Sequence, residues 1–212
     1  MKTDDLIAML ATGAEPVPPN LPEQRMTWAV AVSLPVALLI TLAMGIRPDL
    51  LSVLGDPMFW VKFAFPGVVA TISLLLMLRL SRPGMPAGQL PRVLPLPALA
   101  MALLAVWALL SAAPGERAAL VWGSTWQVCT LNIALVGTPV FIGSIWALKG
   151  LAPTQLAWAG ASAGLLAGAA GAVVYALHCP EMDAPFLLVW NGLGMMLPAA
   201  LGAALGPRLL RW

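Results

Sequence analysis

At 212 residues, 60% of them hydrophobic and 9% charged, with a mean hydropathy of +0.90, the chain carries far less charge than a soluble domain, in which roughly 25% of residues are charged. The net charge of +2 is small and scattered, which excludes a nucleic-acid surface, because such a surface needs clustered Lys and Arg to displace counterions. The chain reads as a protein of the bilayer, making no direct contact with nucleic acid.

The opening segment Met1-Lys2-Thr3-Asp4-Asp5 has no apolar run after its Lys, so no cleavable signal is expected and the tail should stay in the cytoplasm. From Thr3 to Ala11 a short helix is predicted. Thr3 can cap it, Asp4 and Asp5 suit its positive end, and Leu6, Ile7, Met9 and Leu10 supply an apolar surface. Gly13 can stop it. So short a helix is marginal alone in water and is expected to order against another surface. Pro16, Pro18, Pro19 and Pro22 then favour extended polyproline geometry, a semi-rigid spacer of about 3.1 Å per residue.

Six apolar stretches follow, each long enough to cross a hydrocarbon core, which takes about 20 helical residues. They run near Trp28 to Ile46, Phe59 to Leu80, Pro95 to Ala113, Thr125 to Leu148, Gln155 to Leu177 and Phe186 to Leu205. Between them lie Pro, Gly and charge, as in Arg47-Pro48-Asp49, Ser81-Arg82-Pro83-Gly84 and His178-Cys179-Pro180-Glu181. Gly160, Gly164 and Gly168 in the fifth stretch form a small-xxx-small series suited to tight packing within the bundle, with a homodimer contact as the alternative use. The expected fold is all-α: a polytopic membrane bundle of six transmembrane helices behind a short cytoplasmic amphipathic helix. Residues 1–25 form the tail unit and residues 26–212 the membrane unit.

Orientation follows from the cations of the short loops. With the N-terminus inside, Lys2, Arg25, Arg79, Arg82, Arg92, Lys149, Arg208 and Arg211 fall on the inner side, against Arg47, Lys62 and Arg117 outside. Both termini are therefore expected in the cytoplasm, with membrane lipids around the spans. Lys62, near an outer boundary, is expected to snorkel to water. Trp60, Trp122, Trp126 and Trp190 read as interfacial anchors.

The two cysteines, Cys129 and Cys179, then fall at similar depth on the outer side: one lies a turn inside the fourth span and the other just beyond the fifth. A disulfide or a thiophilic ion joining them would tie two helices together. Cys129 also suits a small core position, and a purely structural disulfide is a further alternative. Cys179, flanked by polar residues, is expected to be chemically exposed. His178, with Glu181 and Asp183, could complete a metal site around Cys129 and Cys179, although the spacing is not that of a zinc finger. Asn132 and Asn191 are among the few polar residues within spans, and no chain of buried ionisable groups marks an ion path. Phosphate loops, HExxH helices and serine nucleophile motifs are absent, and no enzyme is expected.

The tail Met1 to Ile7, the Trp126-to-Cys129 segment, Tyr175-Ala176-Leu177-His178-Cys179-Pro180-Glu181 and the closing Leu205 to Trp212 together resemble the NrsF-type membrane anti-sigma factors. That resemblance is clearest from about Leu120 to Trp212 and in the first ten residues. It implies a bacterial inner-membrane regulator that sequesters a sigma factor of the extracytoplasmic-function class. The partner-binding element would be the tail helix, with Asp4, Asp5, Leu6, Ile7, Met9 and Leu10, and the sensing residues would be Cys129 and Cys179. No resident cofactor is implied; a thiophilic metal ion would act only as a signal. The rival reading is a membrane thiol oxidoreductase or small-solute transporter, against which stands the lack of a Cys-x-x-Cys pair.

Overall fold

The computed structural model describes residues 3–12, 18 and 20–211, and among these the secondary structure is entirely helical. Lys2, Gly13, Pro16, Pro19 and Trp212, to which expectations were attached, lie outside the described residues, as does the Leu10 side chain. The tail helix α1 spans Thr3–Ala11. Its last turn is closed by Thr12, whose N–H reaches the Ala8 carbonyl at 3.1 Å and whose hydroxyl lies 2.8 Å from the Ala8 and Met9 carbonyls. Leu6, Ile7 and Met9 stay exposed, Ile7 and Met9 at 59% and 62%.

Six segments long and apolar enough to cross a membrane follow: Leu21–Met44, Pro57–Leu80, Leu90–Ser111, Arg117–Lys149, Leu156–Tyr175 and Ala184–Leu209. They contain α2 (Leu21–Met44), α4 (Pro57–Leu80), α5 and α6 (Leu90–Val93, Pro95–Ser111), α7 and α8 (Arg117–Trp122, Trp126–Lys149), α9 (Leu156–Tyr175), and α10 and α11 (Ala184–Phe186, Gly192–Leu209). A single turn, α3 (Leu50–Val53), sits in the first connection, and a π-helical turn, Leu187–Asn191, joins α10 to α11. Local chemistry sets the boundaries. Asp56 accepts the Met58 N–H at 2.8 Å ahead of Pro57 at the first position of α4. Gly123 adopts φ +53 between α7 and α8, a left-handed conformation that resists a side chain.

The spans run up and down, so segments 45–56, 112–125 and 176–183 meet at one end. Segments 81–89 and 150–155 meet at the end that carries the tail. Arg82 pairs with Glu23 at 2.6 Å at the tail end, whereas the Arg47 N–H reaches the Leu177 carbonyl at 3.1 Å at the opposite end.

At the centre stands α9, packed against α11, α8 and α4. Glycine makes this position accessible. A Cβ on Gly168 would lie 2.6 Å from the Met195 backbone, and Gly160 and Gly164 meet the α11 backbone at Gly202 and Pro198. On another face Gly171 abuts Gly137 of α8. Lipid tails are as apolar as Leu, so hydrophobic burial does little to associate helices in a bilayer, and close packing of small residues takes over that role. The glycine series is thus used for packing within the chain.

Candidate functional site

Cys129 is set one turn into α8, where its N–H bonds the Thr125 carbonyl at 3.0 Å. Cys179 follows the last turn of α9, where its N–H reaches the Tyr175 carbonyl at 3.0 Å, and Pro180 ends the run. The two spans bring both sulfurs into the same buried cluster with Tyr175, Phe186 and Leu187. Both are free thiols, exposed by 0% and 1%. The Cys129 thiol donates to Asn191 Oδ1 at 3.4 Å, and the Cys179 sulfur lies near enough for each thiol to influence the other's ionisation.

The loop from Cys179 to Glu181 is held from three sides. Lys62 of α4 donates from Nζ to the Cys179 carbonyl at 2.6 Å and the Glu181 carbonyl at 2.7 Å. Arg47 places Nη1 3.4 Å from the same Cys179 carbonyl and 3.5 Å from Met182 Sδ, while its Nε and Nη2 bind Asp49 at 2.8 Å each. Glu181 then reaches across to α8, where one carboxylate oxygen accepts the N–H groups of Ser124 and Thr125 at 2.7 and 3.2 Å and both hydroxyls at 2.6 and 3.3 Å. Those are orphan donors at a helix start, so a residue 57 positions away supplies the cap.

Charge in the loop follows the contacts. Hydrogen bonding from the Cys129 thiol holds the Cys179 thiol below its ordinary range; burial opposes this, and the Lys62 charge and the Glu181 N–H assist it. Burial raises the Glu181 carboxyl, but the Ser124 and Thr125 donors outweigh it and keep the group below the usual glutamate range. Asp49 is drawn down to about 2 by its hydrogen bonds from Arg47.

Two expectations are corrected here. Cys179 is buried rather than chemically exposed, because its loop folds back over the bundle end under the Lys62 and Arg47 contacts. Lys62 does not snorkel: it is 1% exposed and points into the same loop. The cue for Lys62 was in the sequence, since an ionisable residue inside an apolar span is by default a candidate for function. The tryptophans divide. Trp60 stays mostly exposed, whereas Trp122, Trp126 and Trp190 pack ring against ring at 4.9 to 5.5 Å, with Trp190 Nε1 donating to the Val121 carbonyl at 2.9 Å.

His178 turns its ring toward the Gly45 carbonyl, 2.6 Å from Nδ1, and packs on Tyr175. Among the described residues no three of His, Cys, Asp and Glu gather as a ligand set. Two thiols buried in one cluster, one of them disposed toward the thiolate, have the chemistry to form a disulfide or to bind a thiophilic ion in two-fold fashion. Asn191 and Asn132, polar residues of the spans, find partners at this end, the latter donating to the Tyr175 hydroxyl at 3.2 Å.

Residues 10–212 match the family model NrsF, described as negative regulator of sigma F. Over its whole length the chain is 48% identical to the whole of the probable anti-sigma-F factor NrsF of Azospira oryzae. It is also 37% identical, again over both full lengths, to the anti-sigma-F factor NrsF of Caulobacter vibrioides. No solved structure is significantly similar to it.

Proposed function

Because the chain belongs to the NrsF family of negative regulators of sigma F, we propose that it holds a sigma factor of the extracytoplasmic-function class through α1 and releases it when the Cys129–Cys179 pair changes state. Its relatives are named as anti-sigma factors, regulators and not enzymes. The observation that carries the reading is the arrangement of the bundle. The thiols meet at one end, and the opposite end carries a short helix with Leu6, Ile7 and Met9 turned to solvent. A helix laid in a partner's groove is a common recognition mode, and ordering on binding makes such a contact easy to switch.

The membrane is the bacterial inner membrane, with both termini in the cytoplasm and the thiol end outside, on the strength of the cation asymmetry. An oxidant or a thiophilic metal ion is the stimulus. Moving a two-state switch from about 99:1 to 1:99 takes roughly 5.5 kcal/mol, whereas a disulfide contributes about 2–4 kcal/mol. Contacts beyond the sulfurs must therefore change, and the loop carries them in Lys62, Arg47 and Glu181.

The test is co-purification of the sigma factor from detergent extract with the parent chain, with Leu6→Asp and with residues 1–11 deleted, each with and without oxidant. Both tail variants should lose the partner while the membrane unit stays folded, and oxidant should release it from the parent. Partner recovery unchanged by the tail deletion would sink the tail's role. Recovery unchanged by oxidant or thiophilic metal would sink the thiol switch.

A further inference from the structure

Lys62 presents a charge problem that its visible partners do not solve. Its Nζ is buried and makes two short hydrogen bonds, both to neutral carbonyls. Among the described residues no carboxylate lies within ion-pair reach of it. The neighbouring acids are committed elsewhere: Asp49 to Arg47 through two 2.8 Å contacts, Glu181 to the start of α8. A buried ammonium without a counter-anion is strongly disfavoured. The charged and titratable groups around the loop are Arg47 and Asp49 after α2, Lys62 of α4, Cys129 of α8, Tyr175 of α9, and His178, Cys179, Glu181 and Asp183 of the loop itself. Of these, Cys179 is the group whose own carbonyl holds the ammonium at 2.6 Å, so its thiol is the one best placed to supply the missing negative charge.

We propose that Lys62 is the positioning residue of the thiol site: its ammonium is the counter-cation of a Cys179 thiolate, and it makes Cys179 the attacking sulfur and Cys129 the thiol that follows. The proposal deepens the thiol-switch reading and rests on it for its part in signalling. The two carbonyls fix the ammonium beside the loop that carries the sulfur, and Cys129, whose thiol donates to Asn191 Oδ1 at 3.4 Å, is buried in the same cluster as Cys179. With a hydroperoxide as oxidant, the Cys179 thiolate attacks the outer oxygen, the O–O bond breaks, and the departing oxygen carries the electron pair away as alkoxide or hydroxide. Cys179 is then a sulfenic acid. The Cys129 sulfur displaces its hydroxyl, which leaves as water with the Cys129 proton, and the S–S bond forms. Two electrons pass from the sulfurs to the peroxide. The negative charge beside Lys62 is gone, and the buried ammonium loses its reason to hold the loop. A thiophilic cation bound to the sulfurs would repel Lys62 with the same outcome.

The experiment follows alkylation of each cysteine by iodoacetamide against pH, by peptide mass spectrometry, in the full chain purified in detergent. In the parent, Cys179 should react with a midpoint at least one pH unit below that of an ordinary thiol, about 8.5, and ahead of Cys129. Lys62→Gln should raise that midpoint by at least about one unit, a tenfold fall in the acid dissociation constant, and Lys62→Arg should keep it near the parent value. A parent midpoint in the ordinary range, or one unmoved by Lys62→Gln, overturns the assignment; if Lys62→Gln does not fold, the parent midpoint decides. No sigma factor or stimulus enters this measurement. A normal stress response in Cys179→Ser would therefore remove the switch reading and leave the ion pair to be judged on its pH profile.

Discussion

Four donors converge on one oxygen of Glu181, so a single carboxylate ties the Cys179 loop to the start of α8. The cap was not legible in the sequence, where Glu181 read as a ligand candidate beside His178, because nothing in local spacing says that residues 57 apart will meet. Its electrostatics lead to a prediction with a sign. A carboxyl whose folded value lies below its unfolded one contributes stability that is complete above the unfolded pKa, about 4.3 for Glu, and is lost as pH falls through the folded value. Glu181 is such a group. Thermal unfolding in detergent from about pH 7 to about pH 3 should show the parent losing stability on the acid side, as the unfolded chain binds the proton more readily. Glu181→Gln should begin roughly 1 kcal/mol less stable, the scale of a half-exposed charged hydrogen bond. It should also lack Glu181's share of that acid limb, keeping the shares of Glu23, whose carboxyl is likewise drawn below its ordinary range, and of Asp49, which Arg47 holds at about 2. A glutamine variant with the parent's stability and acid limb would show the cap to be dispensable.

The helices differ in how much of their role was readable. For α1, the apolar residues and the helical stop near Ala11 were legible, and its exposed Leu6, Ile7 and Met9 fit a helix awaiting a surface. For α9, the glycine spacing announced close packing but not the partner, because a small-xxx-small face suits any helix that can approach. The fold assigns that face to α11, with Gly160 against Gly202 and Gly164 against Pro198 and Ala199. Backbone lines the far side of these contacts and cannot yield as a flexible side chain would. Gly164→Leu is therefore expected to cost about 3 kcal/mol, at the upper end of overpacking effects, or to prevent folding. Gly192→Ala, whose added Cβ meets nothing within 4 Å, should be nearly neutral. Thermal unfolding of the two variants checks the contrast, and equal stability would mean that the α9–α11 contact is looser than described.

The molecule as a whole has two ends with different chemistry, and their placement across the membrane is open to direct measurement. Periplasm-active and cytoplasm-active reporters fused at Asp183 and at the C-terminus should give opposite signals, with Asp183 outside and the C-terminus inside, as the cation asymmetry of the loops requires. A periplasmic signal from the C-terminal fusion would overturn the topology and with it the external placement of both thiols. Composition and hydropathy were enough to specify six apolar helices, because a chain crossing hydrocarbon must satisfy its backbone within each segment and so writes each span locally. The limits were less legible, since α2 begins at Leu21 rather than near Trp28 and takes Pro22, expected in the extended spacer, into its first turn, where a proline's missing N–H costs nothing. The likeness of the Cys-Pro-Glu segment and of the tail to a known family was local as well. The company kept by the two thiols was not. Burial of Cys179, the inward turn of Lys62, the Asn191 contact and the Glu181 cap each join residues from different spans. Such pairings depend on how helices rotate and approach one another, and that is settled by packing around α9 and by no residue's near neighbours in the chain.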